Sequence, residues 1–314
     1  MDFGKLDNLT GVDFSMPPIT EATQQMLQRF SADKPMAVFV GCPVWANPAW
    51  VGSLYPPRAK EKDFLKHYTH QFNTIELNVT HYRIPDLQTV RRWTSAAAAG
   101  VEFCPKFLQE MFHHKLLQGD FQQLTLLFCE SILAFEQHLG VSFLQLPPYS
   151  EPIHLDKLQN FLDFLATHCP IPLAIEFRHP LWFKDDQLEK VAQMLENYHV
   201  GTVITDVAGR RDVLHSRLTT PVCVIRFVGN SLHPSDYSRV DAWVERINQW
   251  ATEGLQAVYF FAHEPDNVLA PDLAIYFIEK LNQALKMQLP LPQLHDELPP
   301  VKPSKPNNGQ IQLF

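Results

Sequence analysis

Eight short apolar segments, each ending at or next to a polar residue, recur in order along this chain and limit its fold more than any other feature. They are Ala37–Gly41, Thr74–Asn78, Val101–Lys106, Val141–Leu146, the stretch that opens at Leu173, Gly201–Asp206, Val222–Val228 and Ala257–His263. Amphipathic stretches separate most of them: Lys62–Phe72, Asp86–Ala98, Phe121–Leu139, Leu155–His168, Asp185–Tyr198, Ser235–Thr252 and Asp272–Met287. Residues 207–221 carry no clear long helix and form the weakest repeat. Strands alternating with helices predict a parallel sheet, and a count of eight favours a closed barrel over an open doubly wound sheet. The expectation is a single (β/α)8 TIM-like barrel over residues 36–288. Residues 1–35 read as an N-terminal extension with one short helix, Thr20–Phe30, capped by Thr20.

The segment Leu-Ala-Ile-Glu-Phe-Arg-His-Pro-Leu-Trp-Phe, Leu173–Phe183, shows what the strand ends carry. With a strand's period of two, Ala174, Glu176 and Arg178 share one face, and Leu173, Ile175 and Phe177 the other. An acid and a guanidinium thus project into one space, and His179-Pro180 stops the strand. The same parity applied to the other strands predicts one pocket at the C-terminal face of the barrel. It gathers Glu76, Asn78, Lys106, Gln145, Glu176, Arg178, Asp206, Arg226 and His263. Structural barrel layers normally hold branched apolar side chains, so this much buried polarity points to a functional pocket.

Composition narrows the partners. Apolar content of 46% and charged content of 19% are those of a globular protein, and a formal net charge of −8 opposes broad attraction to nucleic acid or acidic lipid. No run approaches transmembrane length, and Met1–Pro18 does not read as a secretory signal. The five cysteines are widely spaced with no Cys-x-x-Cys pair, which reads as packed, reduced thiols in a cytoplasmic protein. From residue 289 to residue 314 the chain becomes proline-rich, with six prolines between Pro290 and Pro306, and reads as a disordered tail.

The order Gly41…Trp45, Tyr55-Pro56, Asn73-Thr74-Ile75-Glu76-Leu77-Asn78, Tyr82, Lys106, Gln145-Leu146-Pro147-Pro148, Glu176-Phe177-Arg178-His179-Pro180-x-Trp182-Phe183, Asp206 and Arg226 resembles the YecE-like family. That family is a domain of unknown function whose members are TIM-like barrels, so the resemblance implies the fold and a pocket, not a reaction. It covers about residues 37–280. The chain departs from the family at Cys42-Pro43-Val44, where Ser-Gly is usual, at His81-Tyr82 in place of Phe-Tyr, and at Ala262-His263 in place of Asn-Asn. It also has Val228 where the family carries a histidine. A second resemblance lies at Gln310-Ile311-Gln312-Leu313-Phe314, which is similar to the bacterial sliding-clamp-binding peptide. Leu313 and Phe314 would fill an apolar groove on the clamp while Gln310 bonds at its rim.

For chemistry, Glu76 and Glu176 are the expected acid–base pair, with Lys106 and Asp206 beside them as catalytic candidates. Lys106, Arg178 and Arg226 suit an anionic group. Trp45, Tyr82 and Trp182 suit stacking on a sugar or base, and Asn78, Gln145 and His263 complete the substrate-binding set. A divalent metal on Glu76, Glu176, Asp206 and His263 is the less favoured reading, because cations already crowd the pocket and no His-x-His or His-Glu-x-x-His spacing occurs. No cofactor is expected, since there is no glycine-rich phosphate loop. The leading expectation is an enzyme of the hydrolase or lyase type acting on a phosphorylated, sugar-like or nucleic-acid-derived anion, recruited to DNA through the clamp. The alternative is a non-catalytic protein of replication or repair that binds an anionic ligand or a nucleic-acid fragment.

Overall fold

The computed structural model describes residues 4–33, 35–112 and 116–295. The tail with Gln310, Leu313 and Phe314 therefore lies outside the described residues. Eight parallel strands form the centre: β1 (Ala37–Gly41), β2 (Thr74–Leu77), β3 (Glu102–Pro105), β4 (Ser142–Gln145), β5 (Leu173–Glu176), β6 (Gly201–Asp206), β7 (Val222–Val228) and β8 (Ala257–His263). One continuous ladder runs β1-β8-β7-β6-β5-β4, and β2 pairs with β3.

Two seams close the barrel by other means. Between β3 and β4, single bridges join Phe103 to Leu139 and Lys106 to Phe143. Between β1 and β2 the side chain of Asn73 replaces the ladder: its Oδ1 accepts from Val40 N at 2.8 Å and its Nδ2 donates to Val38 O at 2.7 Å. Tyr68 Oη adds to this seam, accepting from Cys42 N and donating to Thr74 O. Gly41 is required here, because a Cβ would meet Thr74 O at 2.0 Å. The barrel is filled by Cys104, Val141, Phe143, Ala174, Val203, Val224, Tyr259 and Phe261, with Phe39 stacked on Tyr259 at 4.5 Å between ring centres.

Around the strands lie α2 (Phe64–Thr69), α3 (Leu87–Ala96), the single turn α4 (Leu116–Gln118), α5 (Gln122–Leu133), α6 (Leu155–His168), α7 (Gln187–Asn197), α8 (Pro234–Glu253) and α9 (Ala270–Leu285). The helix expected over 121–139 breaks after Leu133, and Glu136 takes a left-handed φ of 51°. The break lets Phe135 pack on Phe103 and lets buried His138 bond Val101 O at 2.7 Å through Nδ1.

Between β6 and β7 only a short 3-10 turn, Arg211–Val213, is present. The N-terminal segment takes over part of this wall through α1 (Glu21–Leu27), capped by Thr20. Thr23 Oγ1 donates to Ser216 O and accepts from Leu218 N, both at 3.1 Å, while Met26 and Leu27 are buried. Arg246 Nη2 donates to Pro17 O at 2.8 Å, and Gly209 N donates to Gly4 O at 2.9 Å. The extension is thus packed on the barrel wall.

Candidate functional site

The inward side chains at the strands' C-terminal ends meet in two tiers. The lower tier is Glu76 from β2, Glu176 from β5 and Arg226 from β7, each fully buried. Arg226 forks onto Glu76, with Nε to Oε2 at 3.0 Å and Nη2 to Oε1 at 2.7 Å. Its Nη1 reaches Glu176 Oε2 at 3.1 Å. Glu176 also accepts from Arg178 Nε and Thr205 Oγ1, each at 2.8 Å, and from Gln145 Nε2 at 2.6 Å. Such saturation is what makes buried charge tolerable.

The upper tier keeps a little exposure: Lys106 5%, His263 5%, Arg178 8% and Gln145 9%. His263 Nε2 lies 2.7 Å from Glu76 Oε2. With the carboxylate ionised, Nε2 carries the hydrogen and Nδ1 of the neutral ring is left as an acceptor. Lys106 is held by its backbone: Thr80 Oγ1 accepts from Lys106 N at 2.9 Å and donates to Lys106 O at 2.7 Å. Its Nζ sits 5.9 Å from the centre of the Phe143 ring. Among the described residues no carboxylate lies within ion-pair distance of that ammonium.

These contacts set the protonation states. Burial opposes ionisation of Glu76, but Arg226 and then His263 outweigh it and hold the carboxyl well below its usual range. Burial likewise opposes ionisation of Glu176, and Arg178, Arg226 and Lys106 overcome it. Burial, reinforced by Arg226, pushes Lys106 down to about 7, against a smaller upward pull from Glu76 and Glu176. Burial also lowers His263 despite Glu76 beside it. The two glutamates therefore do not divide into proton donor and acceptor: both are ionised counter-ions. Lys106 and His263 are the groups whose charged forms burial disfavours.

Other expected residues are placed differently. Asp206 is turned out of the barrel toward α8, where its carboxylate accepts from Trp243 Nε1 at 2.7 Å and Arg239 Nη1 at 2.8 Å and pairs with Arg211. Its neighbour Thr205 is the inward residue. Every residue of β6 is buried, so apolar alternation carried no sign of which face was which. With Asp206 gone, the carboxylate–histidine metal set is not assembled, and among the described residues no three His, Cys, Asp or Glu side chains converge on a metal-sized site. Trp182 is buried, packs on Phe177 and donates to Ser150 O at 2.7 Å, so it ties two loops together and is no stacking platform. Trp45 packs edge-on to Trp93 of α3 in the outer layer. Asn78 bonds Pro43 O at 3.4 Å, bracing the β1 loop. Tyr82 stands 71% exposed on the rim, against His81. An apolar cavity of about 410 Å³ opens at the opposite end of the barrel, beside Leu173, Gly201 and Val222, and holds none of the strand-end charges.

A closed parallel barrel with a charged cage at the C-terminal strand ends defines a TIM-like barrel whose charged side chains lie on the face such folds use for ligands. The chain belongs to the family described as Protein of unknown function DUF72, whose model matches residues 39–296. It is 28% identical over 267 residues to UPF0759 protein YecE of Escherichia coli K12, covering 79% of this chain and 94% of that protein. It is 22% identical over 164 residues to UPF0759 protein YunF of Bacillus subtilis, covering 51% of this chain and 57% of that protein. A DUF72 family protein of Enterococcus faecalis V583 shares the fold, with a TM-score of 0.63 at 15% identity, covering 81% of this chain and 99% of that one. Among the described residues no helix is long and apolar enough to cross a membrane.

Proposed function

We propose that this protein is an enzyme of the lyase or hydrolase type that acts on a small anionic substrate at the C-terminal mouth of the barrel. The observation that carries this reading is the charge balance of the cage. Two ionised glutamates are matched by Arg178 and Arg226, so protonated Lys106 brings one positive charge in excess. An incoming carboxylate or phosphate group balances it. Lys106 and His263 then serve as the proton-transfer groups, Arg178 and Gln145 face the substrate, and Glu76, Glu176 and Arg226 fix the field beneath. The phosphorylated, sugar-like and nucleic-acid-derived compounds named above remain the sources to screen.

Calorimetry with inorganic phosphate and with small carboxylates tests the reading. Binding should weaken at least tenfold in Lys106→Met and should take up a proton from buffer at pH 8. Absence of binding to the wild-type protein by any of these anions refutes the anionic pocket, and binding with no turnover across the screen assigns a ligand-binding role in place of catalysis. Recruitment to a bacterial sliding clamp is a separate proposal that rests on the sequence Gln310–Phe314 alone.

A further inference from the structure

We propose that Lys106 is a covalent nucleophile, and that the substrate is a carbonyl compound bearing a carboxylate or phosphate, which it captures as an imine. This rests on the anionic-pocket reading above and names the chemistry of that pocket.

Few atoms at the mouth have a lone pair to offer. The oxygens of Glu76 and Glu176 are occupied by guanidinium, amide, imidazole and hydroxyl donors. Thr205 spends its hydroxyl hydrogen on Glu176. Cys104 belongs to the barrel filling below, and burial pushes its thiol up, away from thiolate. Among the described residues Nζ of Lys106 has no carboxylate within ion-pair distance, the residue keeps 5% exposure, and Thr80 pins both of its backbone groups. The amine is thus presented from a fixed strand end at the one level of the cage that solvent touches.

An amine in this position suits one electrophile best. Attack on an ester or phosphoryl group would leave a stable amide or phosphoramidate on the enzyme, whereas attack on an aldehyde or ketone is reversible. The Nζ lone pair forms a C–N bond to the carbonyl carbon and the C=O π pair moves to oxygen. Protonation of that oxygen and loss of water break the C–O bond and give the imine. In total, amine, carbonyl and one proton from solvent become iminium and water, with no oxidant or reductant. The iminium keeps the unit positive charge of a protonated Lys106, and the substrate's own anionic group balances it. Nδ1 of His263 is the base available at the same tier to accept a proton from carbon next to the iminium or from a carbinolamine hydroxyl.

Reductive trapping on the full-length wild-type protein tests the idea. At pH 7 an ordinary lysine is neutral in about one molecule in 2,500, and a lysine that titrates near 7 in about one in two. Glyoxylate, pyruvate and dihydroxyacetone phosphate are each incubated with the protein and sodium cyanoborohydride, and modified lysines are mapped by peptide mass. The expected result is at least tenfold faster labelling at Lys106 than the average of the other lysines with at least one probe, and no label at position 106 in Lys106→Arg. The first two probes against the third distinguish a carboxylate from a phosphate as the anionic group. Labelling at Lys106 no faster than average with all three probes overturns the proposal. Phosphate and carboxylate calorimetry on the same sample then separates the two readings: retained anion binding removes only the imine, and lost binding removes the anionic pocket with it.

Discussion

Glu76 and Arg226 face each other across the barrel from non-adjacent strands, joined by two N–H···O contacts of 3.0 and 2.7 Å with both side chains fully buried. Because Arg226 also reaches Glu176, it links two carboxylates that would otherwise repel. Arg226→Leu leaves both as uncompensated buried charges, and the expected loss is about 3–5 kcal/mol of unfolding free energy in urea. Arg226→Lys should rescue little, since one ammonium cannot reproduce the fork. A loss below about 1 kcal/mol would show that water, not Arg226, satisfies the glutamates.

The same cage predicts two pH windows of opposite sense. Glu76 and Glu176 are held ionised well below the ordinary 4.5, so their stabilisation is complete above about pH 4.5 and drains away as pH falls toward their folded values. Lys106 sheds its proton near 7 in the fold and near 10.5 when unfolded. Across that interval the folded state binds fewer protons, so stability rises with pH from about 7 to 10.5 at this site. Lys106→Met should remove the upper dependence and raise stability at pH 6 by roughly 1–4 kcal/mol, as replacing a costly buried charge does. Urea titrations of both proteins at pH 4, 6, 8 and 10 read the two windows separately.

Much of this site was legible in the chain because strands with one interior face keep their parity. Ala174-x-Glu176-x-Arg178 and Tyr259-x-Phe261-x-His263 place the right residues inward from sequence alone. Strands β6 and β7 begin and end where the pattern puts them, but β6 is buried on both faces and carries polar residues on each, so its parity is not legible in the sequence. Tertiary contacts settled the rest. Trp182 has the composition of a stacking platform, yet its indole N–H is drawn to Ser150 O on the neighbouring loop. Nothing local says that Thr80 will grip Lys106, or that α1 will cover part of the wall left bare between β6 and β7.

That covering role gives the N-terminal segment a measurable weight. Thr23 satisfies Ser216 O and Leu218 N at once, so Thr23→Val leaves one acceptor and one donor without their partner. The expected cost is about 1–3 kcal/mol with unchanged anion binding. Removing residues 1–35 should cost more, because Met26 and Leu27 leave an apolar surface behind them. If the shortened chain melts at the same temperature as the whole, α1 is a passive attachment.

The peptide Gln310–Phe314 is tested independently of the barrel. Deleting it should abolish binding to a purified bacterial sliding clamp, measured by surface plasmon resonance, while leaving the melting temperature within about 1 °C. Equal clamp binding with and without the five residues would dismiss the motif.

Asp206 offers the sharpest separation between support and chemistry. Its carboxylate, held ionised by Arg239 and Arg211 against the opposing effect of burial, anchors an outer network that also takes in Trp243 and the Arg239–Asp236 pair. The ring of Phe14 lies against Arg239 and Arg211, 5.2 and 5.5 Å from their guanidinium centres, so the N-terminal segment closes over this network. Asp206→Asn keeps the shape but removes the charge, leaving two guanidinium groups underpaired, and should cost about 3–5 kcal/mol. Anion affinity should stay within about twofold of wild type below the lowered melting temperature, because Thr205, not Asp206, is the β6 residue that reaches Glu176. Thr205→Val should do the reverse, removing one donor to Glu176 at a stability cost of about 1–3 kcal/mol while disturbing the anion pocket. A tenfold loss of anion affinity in Asp206→Asn, with Thr205→Val unaffected, would mean that the functional face of β6 is the outer one.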